Sequence, residues 1–201
     1  LLMLENKLQL MIKFIIILTL IINTNAISKE FNKAYFGGGC FWCMEESFEK
    51  VEGVIDVISG YSGGKTNNPT YREVTYGDSG HFETVEVIFD HSKTDYETLL
   101  KVFWVNIDPF DALGQFCDKG YSYRSVAFYQ NENQKKLIDN SILSIEKKFN
   151  QEVVTYVKEF KIFYKAEDNH QNYYNENFIN YLLYKNACGR DNRLNKIWKN
   201  E

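Results

Sequence analysis

The run Gly37-Gly38-Gly39-Cys40-Phe41-Trp42-Cys43-Met44-Glu45 constrains this chain more than any other segment. Three successive glycines permit backbone conformations and close approaches that a Cβ would forbid. Before them, Lys33-Ala34-Tyr35-Phe36 reads as a short buried strand; after them, Phe41, Met44 and Phe48 recur at helical spacing, predicting a helix from Phe41 to Lys50. The run is therefore expected to be a strand-to-helix turn with a cysteine at the helix start. The positive end of a helix dipole favours thiolate there. Phe41 and Trp42 add an apolar wall beside that sulfur. Such a sulfur suits redox or covalent chemistry on a small apolar group.

The 201 residues suffice for one domain with a proper core, and the net charge of −4 gives no reason to expect a nucleic-acid partner. No repeat or internal linker suggests a second domain. Residues 1–26 differ from the rest. Lys7 and Lys13 precede the apolar run Phe14 to Ile22, and polar Asn23-Thr24-Asn25-Ala26 follows. That pattern fits a secretory signal peptide, with an uncleaved membrane anchor as the alternative. The run is shorter than the roughly 20 residues of a confident membrane span. A catalytic domain over 27–201 and export to a periplasmic or extracellular location are expected.

Further elements follow from periodicity. Val51 to Gly60, Thr84 to Phe89, Val126 to Tyr129 and Val153 to Phe160 read as strands. Thr94 with Glu97 reads as a capping box for a helix carrying Leu99, Leu100, Phe103 and Trp104. Asn131 with Gln134 opens a helix whose Ile138, Ile142, Ile145 and Phe149 form one apolar stripe. Ser62 to Pro69 reads as a loop, Asp108 to Tyr123 as a long loop of the kind that carries function, and Glu167 to Lys185 as helical. Strands and helices mix without a regular βαβ rhythm. The expected class is α+β, a single compact domain around a mixed sheet with a ferredoxin-like core, flanked by helices.

Four cysteines are present: Cys40, Cys43, Cys117 and Cys188. In an exported chain an even number suggests structural disulfides, but a domain of this size does not need them, and reactive thiols are the competing reading. Cys40-x-x-Cys43 is a spacing used by redox pairs and by zinc. Zinc lacks a second cluster here, because His81, His91 and His170 are scattered. Glu83, in Gly80-His81-Phe82-Glu83, is either a solvated strand end or, if buried beside Cys40, a proton donor with a raised pKa. Asp118, Tyr121 and Tyr123 lie in the long loop. Any one of fourteen tyrosines, Tyr71 included, is by default a packing residue.

Gly39-Cys40-Phe41-Trp42, Gly60-Tyr61-Ser62-Gly63-Gly64, Asn68-Pro69-Thr70-Tyr71 and Gly80-His81-Phe82-Glu83 together resemble the A-class peptide methionine sulfoxide reductases. Phe103-Trp104 with Asp108-Pro109, Asp118-x-Gly120, Tyr123-Arg124-Ser125 and Ala166-Glu167-Asp168-Asn169-His170-Gln171 continue the resemblance, which spans Tyr35 to Trp198. It implies a compact α+β domain without metal or organic cofactor, acting on methionine-S-sulfoxide, free or in proteins. It implies that Cys40 attacks the sulfoxide sulfur and that Phe41 and Trp42 hold the S-methyl group. Glu83 would protonate the oxygen with help from Tyr71 and Tyr123, and Asp118 would position substrate or water. A sulfenic acid on Cys40 would then condense with a second thiol, and a thioredoxin-like dithiol would restore the enzyme. A monomer is expected.

Three positions depart from the common family pattern: Cys43 replaces a usual Gly, Cys117 a usual Asn, and Phe82 a usual Ala. Cys188 matches the family's C-terminal cysteine region and is the favoured resolving thiol, with Cys43 and Cys117 as alternatives. Within a helix, a Cys40–Cys43 disulfide would be strained. The rival readings are a thiol–disulfide oxidoreductase using Cys40 and Cys43, and a metal- or redox-sensing domain.

Overall fold

The computed structural model describes residues 31–199; the segment 1–26, read as a signal peptide, lies outside them. Among the described residues no helix is long and apolar enough to cross a membrane.

The order β1 (Asn32–Gly38), α1 (Phe41–Glu49), β2 (Val54–Ser62), α2 (Tyr71–Tyr76), β3 (Phe82–Phe89), α3 (Tyr96–Val105), β4 (Gly114–Gln115), β5 (Asp118–Lys119) and β6 (Ser125–Tyr129) makes up the first part of the domain. Then come α4 (Glu132–Phe149), β7 (Tyr156–Glu159), β8 (Phe163–Lys165), α5 (Tyr173–Glu176), α6 (Phe178–Cys188) and α7 (Arg190–Trp198). Six strands form one sheet in the order β7-β6-β1-β3-β2-β8. Its four central strands, β6-β1-β3-β2, are mutually antiparallel and are joined as β1-α1-β2-β3-α3-β6. This is the ferredoxin-like split βαβ arrangement, as expected. β7 joins β6 in parallel and makes the sheet mixed.

Alternation along the strands gives each face of the sheet its own core. Phe36, Val85, Val87 and Ala127 pack with Phe41, Met44, Phe48, Leu99, Phe103 and Ile138 in the main core. Phe36 stacks between Phe48 at 5.3 Å and Phe103 at 5.1 Å. The neighbouring positions Tyr35, Phe82, Val126 and Phe128 form a second cluster with Phe160 and Phe163. Phe82, one of the three unusual residues, is thus a packing residue whose alternation partner Glu83 turns the other way.

Several local expectations shift. Helix α3 is capped by Asp95, whose side chain accepts from the Thr98 amide, while Thr94 Oγ1 is buried without a partner. The carboxylate one residue later makes the stronger cap and moves the start to Tyr96. α4 keeps its expected Asn131–Gln134 cap. The strand expected at Val153 to Phe160 is shorter, Tyr156–Glu159, because only that stretch pairs with β6. Helix α2 was not anticipated, although Thr70 and Glu73 form a complete capping box. The Asp108–Tyr123 loop contains the β4–β5 ribbon and a 3-10 turn at Tyr121–Tyr123. The expected single helix over Glu167 to Lys185 is broken at Asn172, which is left-handed, and at Asn177; α7 follows it unanticipated.

Candidate active site

The glycine run does what its composition predicts. Gly39 has φ +78°, and a Cβ there would lie 2.5 Å from the Gln115 Cβ. Gln115 is itself fixed, accepting from the Asp108 amide and donating to the Asp108 carbonyl, both at 2.8 Å. The turn is therefore clamped against the base of the Asp108–Tyr123 segment. It delivers Cys40 as the N-cap of α1 and Cys43 as its third residue.

Glu83 sits on β3 opposite Tyr61, 2% exposed, and its Oε2 accepts from the Phe41 amide at 3.1 Å. It thus occupies the first free donor of α1. Burial pushes its pKa well above the ordinary carboxylate range; the Phe41 amide opposes this, while Asp118 and Cys43 add to it. Burial therefore favours the protonated, neutral form of Glu83. Asp118 is half-buried, accepts from the Tyr184 hydroxyl, and is also raised, chiefly by burial. The Tyr71 and Tyr123 hydroxyls lie 3.4 Å apart. Burial pushes Tyr71 up to about 12 and Tyr123 higher, so both are hydroxyl donors.

These groups enclose a cavity of about 60 Å³ lined by Cys40, Phe41, Trp42, Tyr71, Glu83, Asp118, Tyr123 and Tyr184. One side is aromatic and the other carries carboxyls and hydroxyls. Its size suits the end of one side chain. A larger groove of about 460 Å³ between α3 and α4, lined by residues such as Leu100, Trp104 and Ile145, contains no cysteine.

The Ala166–Gln171 segment supports the walls. Glu167 accepts from the Tyr61 hydroxyl and the Tyr71 amide, both at 2.8 Å. Gln171 pairs with both backbone groups of Ser59, each at 3.0 Å. His170 lies 4.5 Å from the Tyr71 ring and 5.8 Å from Trp42. Tyr173 stacks on Trp42 at 3.9 Å.

The structure bears on two sequence-based expectations about the thiols. The helix start was expected to favour thiolate at Cys40, yet Cys40 is 4% exposed and burial raises its pKa, with Cys43 adding to the rise. The hydrogen bond with Cys40 chiefly holds Cys43 down at about 7; Arg190, the Tyr181 hydroxyl and Lys185 add to this against burial. Cys188, the favoured resolving thiol, is bonded to Cys117, one of its alternatives, while Cys40 and Cys43 are free thiols. The chain folds the Asp118 loop against the end of α6, and the Cys117 amide donates to Cys188 Sγ at 3.1 Å. Among the described residues, the one cluster of potential metal ligands is Cys117, Asp118 and Cys188. Its two sulfurs are spent on each other.

Tyr184, Tyr181 and Arg190 were not singled out from the sequence. The two tyrosines carry no distinguishing local signal. Arg190 follows Cys188-Gly189, and its side chain is 3% exposed, donating to the Asn106 carbonyl at 2.5 Å and to the Gly38 carbonyl at 3.4 Å. A buried cation contacting the glycine turn cannot be inferred from local pattern.

A reduced thiol, a neutral carboxylic acid and an aromatic wall in one small cavity define a thiol-dependent reductase site. Residues 32–201 match the family model described as peptide methionine sulfoxide reductase. A Listeria innocua protein named peptide methionine sulfoxide reductase MsrA is 44% identical over 169 residues, covering 83% of this chain and 96% of that protein. Among solved structures, methionine sulfoxide reductase A of Corynebacterium diphtheriae superposes with a TM-score of 0.66 at 29% identity, covering 73% of this chain and 75% of that one. Reduced Mxr1 from Saccharomyces cerevisiae gives 0.69 at 26% identity, covering 74% and 86%. The chain belongs to the peptide methionine sulfoxide reductase family, A class.

Proposed function

We propose that Cys40 attacks the sulfur of a bound methionine-S-sulfoxide, free or within a protein, while Glu83 protonates the sulfoxide oxygen. The observation that carries this reading is the buried Glu83 beside Cys40 in an aromatic-walled cavity, where burial favours its neutral form. A sulfoxide oxygen is a poor leaving group until protonated, and a carboxylic acid kept neutral by burial supplies that proton. Phe41 and Trp42 hold the S-methyl group. Tyr71 and Tyr123 donate to the oxygen, and Asp118 orients substrate or water.

Attack joins the Cys40 sulfur to the substrate sulfur while the protonated oxygen leaves as water; a water then attacks the Cys40 sulfur, which breaks that sulfur–sulfur bond, releases methionine and leaves a sulfenic acid on Cys40. An intramolecular disulfide discharges the sulfenic acid with loss of water. The Cys117–Cys188 bond supports this step, because it places a reducible disulfide one residue from Asp118. A dithiol protein of thioredoxin type restores the thiols, and residues of this chain alone carry the chemistry. The rival thiol–disulfide oxidoreductase needs a partner protein to reach Cys40, which is 4% exposed. The basic and then apolar character of residues 1–26 supports export, and N-terminal sequencing of the mature protein tests it.

The deciding assay offers both sulfoxide epimers to the purified protein with dithiothreitol. Methionine is expected from the S epimer alone. Reduction of protein disulfides without methionine formation would remove the proposal in favour of the oxidoreductase.

A further inference from the structure

Cys117, Asp118 and Cys188 come together from two parts of the chain. Cys117 stands in the two-residue turn between β4 and β5, Asp118 opens β5, and Cys188 ends α6. One ligand atom from each of the three lies within 4.8 Å of the others. The sulfur of Cys117 lies 3.8 Å from Asp118 Oδ1. The other carboxylate oxygen, Oδ2, accepts from the Tyr184 hydroxyl. Tyr184 therefore fixes the carboxylate and leaves Oδ1 on the sulfur side.

This meeting does not depend on the disulfide alone. Phe116, beside Cys117, has φ +55°, and its ring lies under the Arg190 guanidinium at 4.6 Å. Arg190, two residues beyond Cys188, is 3% exposed and anchored on the Asn106 carbonyl at 2.5 Å. Tyr184, one turn before Cys188, holds Asp118. At the base of the same segment, Arg193 donates to Asp108 at 2.6 Å. The ribbon tip and the α6–α7 junction are thus joined on both sides of Cys188 by contacts that involve no sulfur. With the disulfide reduced, those contacts keep two thiols and a carboxylate as neighbours.

We propose that reduced Cys117 and Cys188, together with Asp118, form a binding site for a thiophilic divalent cation, Zn²⁺ being the ion this donor set fits. A tetrahedral Zn²⁺ takes thiolate sulfur at about 2.3 Å and carboxylate oxygen at about 2.0–2.2 Å, which sets its ligand atoms about 3.6–3.8 Å apart. The separation of the Cys117 sulfur from Asp118 Oδ1 already matches this, and the two sulfurs reach it by parting from bonding distance. Mg²⁺ and Ca²⁺ call for six or more oxygen ligands, which the cluster does not offer. Cys117 is exposed, so solvent takes the fourth position and the ion enters directly. Binding releases the two thiol protons to solvent and changes no oxidation state. The ion and the Cys117–Cys188 disulfide exclude each other, because both use the same sulfurs. The site therefore exists only in the reduced protein, and an ion in it withholds both sulfurs from the disulfide and Asp118 from the cavity it lines. That consequence for turnover rests on the sulfoxide reductase reading; the binding itself does not.

The test takes full-length protein reduced with a phosphine, desalted without oxygen and titrated with Co²⁺, whose thiolate charge-transfer and tetrahedral ligand-field bands report sulfur ligands. One Co²⁺ per reduced chain is expected, displaced by one Zn²⁺, and none in protein with Cys117–Cys188 closed. In competition with a chromophoric chelator, Cys117→Ser, Cys188→Ser and Asp118→Asn should each weaken Zn²⁺ binding at least about tenfold, while Cys40→Ser and Cys43→Ser keep the wild-type affinity. Reduced wild type without the bands overturns the site. So do bands lost in Cys40→Ser but kept in Cys117→Ser, which would move the ion to the buried pair, and an Asp118→Asn variant that binds as tightly as wild type. Zinc-loaded and metal-free protein are then each given one equivalent of methionine-S-sulfoxide, and the thiols are alkylated and mapped by mass spectrometry. Cys117 and Cys188 should stay open in the zinc-loaded sample; closure at the metal-free rate overturns the block. If metal-free protein releases no methionine, the reductase reading fails and the binding result stands.

Discussion

Cys40 and Cys43 are buried and reduced at the start of α1, whereas Cys117 is exposed and bonded to Cys188 at the end of α6. Both pairs border the same small cavity, one through Cys40 itself and the other through the neighbouring Asp118. The buried pair is surrounded by groups such as Glu83, Tyr181 and Tyr184, and desolvation there raises the pKa of Cys40. The surface pair is set by loop and helix-end placement and is open to solvent. The comparison teaches that chemistry and recycling make opposite demands. Attack on a sulfoxide needs a water-poor pocket with a neutral acid, while a protein reductant needs an exposed sulfur.

The sharpest way to break this division is Cys40→Ser. It removes the nucleophile and should abolish methionine formation from the S-sulfoxide, with dithiothreitol or with any protein reductant; residual turnover would assign the attack to Cys43. Next in size is Cys188→Ser. With a thioredoxin-type reductant it should release one methionine per chain and then stop, because the remaining oxidised sulfurs are buried. Continued turnover with the protein reductant would show that the buried pair is reached directly.

Glu83→Gln should lower the rate by about a hundredfold at neutral pH, with a smaller deficit in acid, where solvent supplies the proton. The sign for the wild type follows from the raised pKa. The active form is protonated, so activity holds at low pH and falls as pH rises through the Glu83 titration. A pH–rate profile shared by wild type and variant would take the acid role from Glu83.

The smallest effect concerns the scaffold between the two pairs. Glu45, on α1, accepts from Ser59 Oγ at 3.1 Å and from the Asn172 amide at 2.9 Å, tying the C-terminal arm to the first helix. Burial raises its pKa from 4.5 to about 7. The folded state therefore binds more protons than the unfolded chain between these values, and stability declines as pH rises through that window. Glu45→Gln should flatten the decline, as measured by denaturant midpoints at pH 4.5, 6 and 7.5. A slope unchanged by the substitution would place the titration elsewhere.

Much of this was legible in the chain itself. The glycine run predicted a clamped strand-to-helix turn, and Gly39 at φ +78° against Gln115 shows why only glycine serves there. The stripe Ile138, Ile142, Ile145 and Phe149 marked α4, and alternation marked β3, because burial on one face imposes a local period. Glu83, Tyr71, Tyr123 and Asp118 were named as candidates and meet in one cavity. The four-residue helix α5 and the break at Asn177 were not legible, because Tyr- and Asn-rich sequence carries no strong period. Tyr184 and Arg190 gain their places only when α6 and α7 fold back onto α1.

The sequence by itself determined the residue types of the site, the N-cap position of Cys40 and the α+β class, since spacing, glycine content and periodicity act over a few residues. Only the tertiary structure decided which sulfurs pair and which way the pKa of each free thiol moves. Those depend on burial and on groups brought from far along the chain: Glu83 from β3, Tyr181 and Cys188 from α6, and Arg190 from α7. Desolvation is a property of the folded surroundings, and for that reason Cys40, expected as the thiolate, has its pKa raised.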